Sequence, residues 1–318
     1  MLWLAGLMGL MAVSAAVYVD VGEESEDDDP PETSEIGTSI QGDIISGTAE
    51  ADTLIGGDNT DQIGGYDGGD LIDGGAGNDD AYGAGGNDTL NGGSGDDSVH
   101  GGDGDDDIFG DDGDDSLLGH NDDDIIHGGA GDDSLQGSAG DDQLFGDEGD
   151  DALQGGLGDD TLDGGTGQDT LFGGWGDDTL NGIVDDPNTA GHQGPDDGDY
   201  LNGGGGDDVI LTGRDDIVTA GDGADQIVLG DWIDDGHATQ IMDFVPNDDT
   251  LLFVWDDSAA DSEAPEISVL SDPDNAGRLN IVMGDVIVAS IAGDTSLDAA
   301  EISLIPLSSA FASGLIAA

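Results

Sequence analysis

The sequence predicts an all-β fold in which turn and strand alternate every nine residues, finished by a small C-terminal β cap. Three observations carry this expectation. Every ninth residue from Asp43 to Asp178 is aspartate, sixteen times in succession, a phase that composition alone cannot hold. Two places after each aspartate stands an aliphatic residue or, once, Ala81. Glycine opens fifteen of the sixteen units, Thr38 being the exception.

The aspartates are Asp43, Asp52, Asp61, Asp70, Asp79, Asp88, Asp97, Asp106, Asp115, Asp124, Asp133, Asp142, Asp151, Asp160, Asp169 and Asp178. One whole unit reads Gly92-Gly93-Ser94-Gly95-Asp96-Asp97-Ser98-Val99-His100. Its glycines suit left-handed or crowded backbone, and the last three residues suit a short strand with the middle side chain inward. Calcium is a hard cation that takes six to eight oxygens from carboxylates and carbonyls, and glycine turns let carbonyls converge on it. Of 75 acidic residues only ten are glutamate. A merely soluble acidic surface would use both, whereas a fixed point in a tight turn favours the short side chain. The competing reading, a solenoid whose Asp and Gly serve only as polar turns, does not explain why the sixth position never varies.

On these residues the chain resembles the RTX (repeats-in-toxin) family, whose repeat is G-G-x-G-x-D-x-U-x, with U aliphatic. The resemblance runs from Thr38 to Asn181. A looser block continues it from Gly194 to Val228, with Asp199, Asp208, Asp216 and Asp225 in the metal position; the unit around Arg214 is one residue short. The resemblance implies a right-handed parallel β-roll in which two units make one coil. It implies multiple Ca²⁺ ions, each between two turns eighteen residues apart, so that Asp97 shares an ion with Asp115 while Asp106 belongs to the opposite edge. All twenty aspartates named above are then candidate ligands. The turns ending at positions 41, 50, 59 and 122 lack the fourth glycine, and poorer sites are expected there.

The remaining segments follow in order. Residues 1–19 are apolar throughout, long enough to span a bilayer, and read as membrane-associated or signal-like. Residues 20–37 form an acidic linker, 38–181 the first repeat block, 182–193 a loop insertion around Asp185-Asp186-Pro187-Asn188, and 194–228 the second block. Residues 229–307 lose the period and hold strand-like runs at 239–244, 250–255, 278–283, 286–291 and 301–307. With Trp232, Phe244, Phe253 and Trp255 they are expected to close the open end of the solenoid. The apolar tail 308–318 is compatible with the uncleaved secretion signal that the resemblance implies, on the type I route.

Composition narrows function. The chain has no cysteine, no lysine and two arginines, with a formal net charge of −73. Disulfides are excluded, and the absence of a cationic patch argues against nucleic acid as a partner. Without cations such a surface repels itself, so folding is expected to be driven by calcium. No H-E-x-x-H or G-x-S-x-G motif is present, and His100, His120, His127, His192 and His237 are each isolated in sequence. The expectation is therefore a non-enzymatic calcium-binding protein, secreted or at the cell surface. An extracellular module binding surface glycans or other surface proteins is the alternative. One local feature bears on that alternative: Phe109, His127 and Phe145, ninth in alternate units, should stack on one outer face.

Overall fold

The computed structural model describes residues 42–183, 198–230, 232–233, 236–258, 263–293, 297–313 and 315. The apolar segment 1–19, the linker 20–37, positions 38–41, most of the insertion and the end of the tail lie outside the described residues. Within them the chain is a parallel β-roll of about ten turns. Successive strands alternate between a fourteen-stranded and a twelve-stranded sheet, so each coil contributes one strand to either. No helix among the described residues is long and apolar enough to cross a membrane.

The register follows from the repeat. Ile126 lies beside Ile108 and Leu144, and Leu135 beside Leu117 and Leu153, each pair eighteen residues apart. A one-residue slip would turn every aliphatic side chain to solvent, so the apolar period and the strand period must agree. Each U position from Ile63 to Leu180 is at most 1 % exposed. These residues form a narrow core, with the first glycine of each unit as the other inward-facing position.

The glycines at positions two and four serve the close stacking of coils. Gly93 sits at φ 107° and Gly95 at φ 121°, and a Cβ on either would run into the carbonyl of the preceding coil, Gly75 or Gly77. Position two tolerates some side chains at the same left-handed φ: Tyr66, Ala84, Asp111, His120, Ser138 and Asp147 lie between 73° and 94°. Among the described turns without a fourth glycine, one is repaired likewise, with Asp122 at φ 72°, whereas Glu50 and Asn59 do not take the left-handed form. Asp is among the residues that enter this region at least cost.

The insertion leaves the roll intact. Leu171 pairs with Leu201 and Leu180 with Ile210, a jump of thirty residues that keeps every strand in register. The short unit around Arg214 then gives a seventeen-residue step, Leu201 to Val218. The sheets run on through Thr239–Ile241 and Thr250–Trp255. Val286–Ala292 adds parallel to the first of these, Arg278–Met283 and Ile267–Ser271 fold back antiparallel, and Ser303–Pro306 adds to the second. Ile267–Ser271, half-buried or exposed throughout, has too weak an apolar period to be read from sequence. The end of the roll is filled by larger side chains, among them Trp232, Phe244 and Phe253. Part of the apolar tail forms a short helix, Leu307–Ser313, and the Ser308 N–H donates to Asp257 near its start.

Candidate metal centre

The sixth-position aspartates precede their strands, so coil stacking draws them into two files, one on each edge of the roll. On the first edge the Asp97 N–H donates to Asp115 Oδ1 at 2.7 Å, and the Asp115 N–H donates to Asp133 Oδ1 at 2.7 Å. The same bond links Asp43, Asp61 and Asp79 before them and Asp151, Asp169, Asp199 and Asp216 after them. On the second edge it runs from Asp52 through Asp70, Asp88, Asp106, Asp124, Asp142, Asp160, Asp178, Asp208 and Asp225. Asp106 thus belongs to the edge opposite Asp97. One aspartate outside the sequence expectation joins the second file: the Asp225 N–H donates to Asp249 Oδ1. Asp249 stands two places before the buried Leu251, but the period is already broken there and conceals it.

Each ladder bond uses one carboxylate oxygen and leaves the other. In Asp70, Asp79, Asp88, Asp97, Asp106, Asp115, Asp124, Asp133, Asp142, Asp151, Asp160, Asp178, Asp208 and Asp225, Oδ2 is buried without a hydrogen-bond partner. Burying an unmatched polar atom costs about 1–3 kcal/mol, and more when it is charged. A file of them cannot be an idle by-product of folding.

Position one of the unit shows where these oxygens point. A Cβ built on Gly155 would lie 2.7 Å from the Gly173 carbonyl oxygen and closer still to Asp160 Oδ2. Gly83 repeats the pattern with Asp88 Oδ2 and the Gly101 carbonyl, and Gly110 with Asp115 Oδ2 and the Gly128 carbonyl. Each cradle therefore converges a carboxylate oxygen and a carbonyl oxygen where any side chain would intrude. Among the described residues no three carboxylate or imidazole groups gather at one point. The donor set is carboxylates supplemented by carbonyls, which suits a hard cation such as Ca²⁺ rather than a thiophilic or imidazole-seeking metal.

The electrostatics of the files agree. Burial, opposed by the ladder N–H and reinforced by neighbouring carboxylates, pushes Asp97, Asp106, Asp133, Asp160 and Asp208 up to about 7. Asp124 and Asp151 rise to about 8, and Asp115, Asp142 and Asp178 to about 6, for the same reasons. The loop with Asp122 in place of glycine thus surrounds Asp124 with as buried an environment as its neighbours have. Without a counter-charge the carboxylates raised to about 7 and 8 resist ionising near neutrality.

A second pair of files lies outside the first, at position five. Here the bond runs the other way: the Asp132 N–H donates to Asp114 Oδ1 at 3.0 Å, and Asp150 to Asp132 at 3.0 Å. Asp123, Asp141, Asp159, Asp177 and Asp207 continue the pattern, exposed to solvent. Double aspartates in the sequence signal repulsion; the structure shows the first of each pair also accepting a neighbouring coil's N–H.

The outer faces carry two ring ladders. Phe109, His127 and Phe145 stack at centroid spacings of 5.4 and 4.5 Å, with their ring planes nearly parallel. Their faces meet one another, which leaves mainly edges to solvent and gives a sugar-stacking role no support. On the other sheet Tyr82 stacks on His100, whose Nδ1 lies 3.1 Å from His120 Nε2. These two histidines, isolated in sequence, are brought together because positions nine and two of successive coils are neighbours.

A model of the RTX calcium-binding nonapeptide repeat matches residues 39–72, 64–99, 82–117, 118–153, 154–182, 196–216 and 212–231. Among proteins of curated function none matches. A subunit of the mannuronan C5-epimerase from Azotobacter vinelandii, solved in solution, is similar at 22 % identity and a TM-score of 0.17, over 58 % of this chain and 79 % of that one. The crystal structure of the extracellular lipase LipA from Serratia marcescens is similar at 18 % identity and a TM-score of 0.22, over 81 % of this chain and 39 % of the lipase.

Proposed function

Since the chain belongs to the RTX calcium-binding nonapeptide repeat family, we propose that its sixth-position aspartates hold Ca²⁺ along both edges and that the ions drive folding outside the cell. The observation that carries this is the two files of buried carboxylate oxygens without partners. Asp70, Asp88, Asp106, Asp124, Asp142, Asp160, Asp178, Asp208 and Asp225 would serve the second edge. Asp79, Asp97, Asp115, Asp133 and Asp151 would serve the first, with Asp43, Asp61, Asp169 and Asp199 extending it. A bound divalent cation supplies the counter-charge that lets these groups ionise while buried. The chain's own part is to present oxygens at a spacing fixed by strand pairing and to keep position one free of a side chain.

Free calcium is scarce in cytosol and abundant outside cells, so a fold that depends on it stays open until export and compacts afterwards. We read the protein as a secreted or cell-surface component without chemistry of its own. The support is the repeat, which supplies a scaffold, and the lack of a sequence motif for a nucleophile or catalytic metal. A thermal melt of the purified chain in calcium and in chelator tests the proposal. A large loss of Tm in chelator is expected; melting that ignores the chelator would overturn it.

A further inference from the structure

The aspartate files have four ends, and three of them differ from the interior in one respect. Asp52 Oδ2 accepts the Thr48 N–H at 2.6 Å and the Thr48 hydroxyl at 2.9 Å. Asp216 Oδ2 accepts the Gly213 N–H at 2.6 Å, and Asp249 Oδ2 accepts the Val245 N–H at 2.6 Å. The oxygen that the fourteen interior aspartates named above leave without a partner is here satisfied from within the turn itself.

The cause is the backbone at position two. It is left-handed in each unit from Gly57 to Gly174, and again at Gly204 and Gly221. In the turns of the fourteen aspartates above, no N–H reaches Oδ2. Thr48, Gly213 and Val245 occupy the same position but do not take the left-handed form. Thr and Val are β-branched, for which positive φ is a true outlier. Gly213 lies in the unit that is one residue short, where the step between paired aspartates falls from eighteen to seventeen. Abandoning the left-handed form brings the N–H onto the carboxylate, so residue choice in two turns and a deletion in the third reach one result.

We infer that Asp52, Asp216 and Asp249 are plugs rather than calcium ligands, so that the metal array is closed at three of its four ends by the chain's own N–H groups. The inference rests on the calcium reading above and corrects what the repeat alone implies for Asp52 and Asp216. Beside Asp216 the next coil places Thr239 where an aspartate would stand, which removes a shared carboxylate from any ion there. A hydrogen bond satisfies the carboxylate without one. The rule also reads forward: a β-branched residue at position two marks a turn that holds no ion.

The test counts calcium bound per chain, by atomic emission, after equilibrium dialysis of the full chain against millimolar Ca²⁺ in the presence of magnesium and moderate salt, with the dialysate subtracted. Wild type is compared with Asp133→Asn, Asp216→Asn, Asp249→Asn and Asp52→Asn. Asparagine keeps an oxygen that can accept the plugging N–H, and the three plugs lie in separate turns, so one poorly folding variant does not decide the matter. The expected result is an unchanged count in the plug variants and the loss of at least one ion in Asp133→Asn. If the plug variants lose as many ions as Asp133→Asn, the plugs are ligands and the inference is overturned while the calcium reading stands. If wild type binds no calcium, the reading fails and the inference falls with it.

Discussion

The regular roll and the end that closes it solve the same problem in opposite ways. Between Asp70 and Asp160 a half-coil buries one aliphatic side chain, and its sixth-position carboxylate keeps an unmatched oxygen. Past Val228 the core widens to Leu229, Trp232, Phe244, Phe253, Ile281 and Ile291, and the file-ending Asp249 has both oxygens engaged. Trp232 adds a buried bond from Nε1 to the Thr212 carbonyl at 2.8 Å. On the calcium reading proposed above, the roll would delegate its cohesion to ions, whereas the cap carries its own apolar packing. A repeat can therefore be lengthened cheaply, provided that something self-sufficient closes it.

The contrast can be broken most severely at position one. Gly155→Ala places a methyl against the Gly173 carbonyl and Asp160 Oδ2, in the cradle itself. We expect the calcium concentration needed for folding to rise more than tenfold, read by circular dichroism, whereas Gly277→Ala in the cap, at φ 87° but with no atom within 4 Å of its Cβ, should strain the cap locally and leave that requirement unchanged. Next comes the thin core. Leu135→Ala removes the only large apolar side chain of its half-coil and should cost about 3 kcal/mol in calcium-saturated protein, by urea melting.

Acidity sharpens the comparison with a smaller effect and a definite sign. The folded carboxyls of Asp97, Asp124 and Asp151 titrate near 7, 8 and 8, against an ordinary value of 3.8. The folded chain therefore binds more protons between those limits. Metal-free stability is fullest below about pH 4 and is lost as pH rises through 6 to 8. In chelator, β signal should grow on acidification from pH 8 to about pH 4; in calcium, the same acidification should release ions, because protons compete for the ligands. The smallest change expected is Trp232→Phe, which loses one buried hydrogen bond and should lower cap stability by about 1 kcal/mol, with calcium retention unaltered.

Much of the roll is legible in the sequence because its period is set by strict chemistry. Asp97 and Asp115 can be paired once the family resemblance sets two units to a coil, and the inward aliphatics Val99 and Leu117, eighteen residues apart, then lie side by side. What escapes the sequence is decided by backbone sign and by neighbours across coils. Asp52 and Asp216 look like every other sixth-position aspartate, yet the φ at Thr48 and Gly213 changes what their carboxylates meet. Asp249 joins its file after the period has ended, through a register that the cap strands impose. His100 and His120 meet only because a strand end and a turn start adjoin in space.

The most direct test is a far-ultraviolet circular-dichroism titration of the chain with Ca²⁺ at neutral pH, with Mg²⁺ in parallel. If buried, cation-seeking carboxylates hold the roll together, β signal rises cooperatively with Ca²⁺ and not with Mg²⁺, whose small octahedral shell fits loosely stacked carbonyls poorly. A spectrum already fully β in chelator at neutral pH, or one that Mg²⁺ restores as well as Ca²⁺ does, would contradict the account.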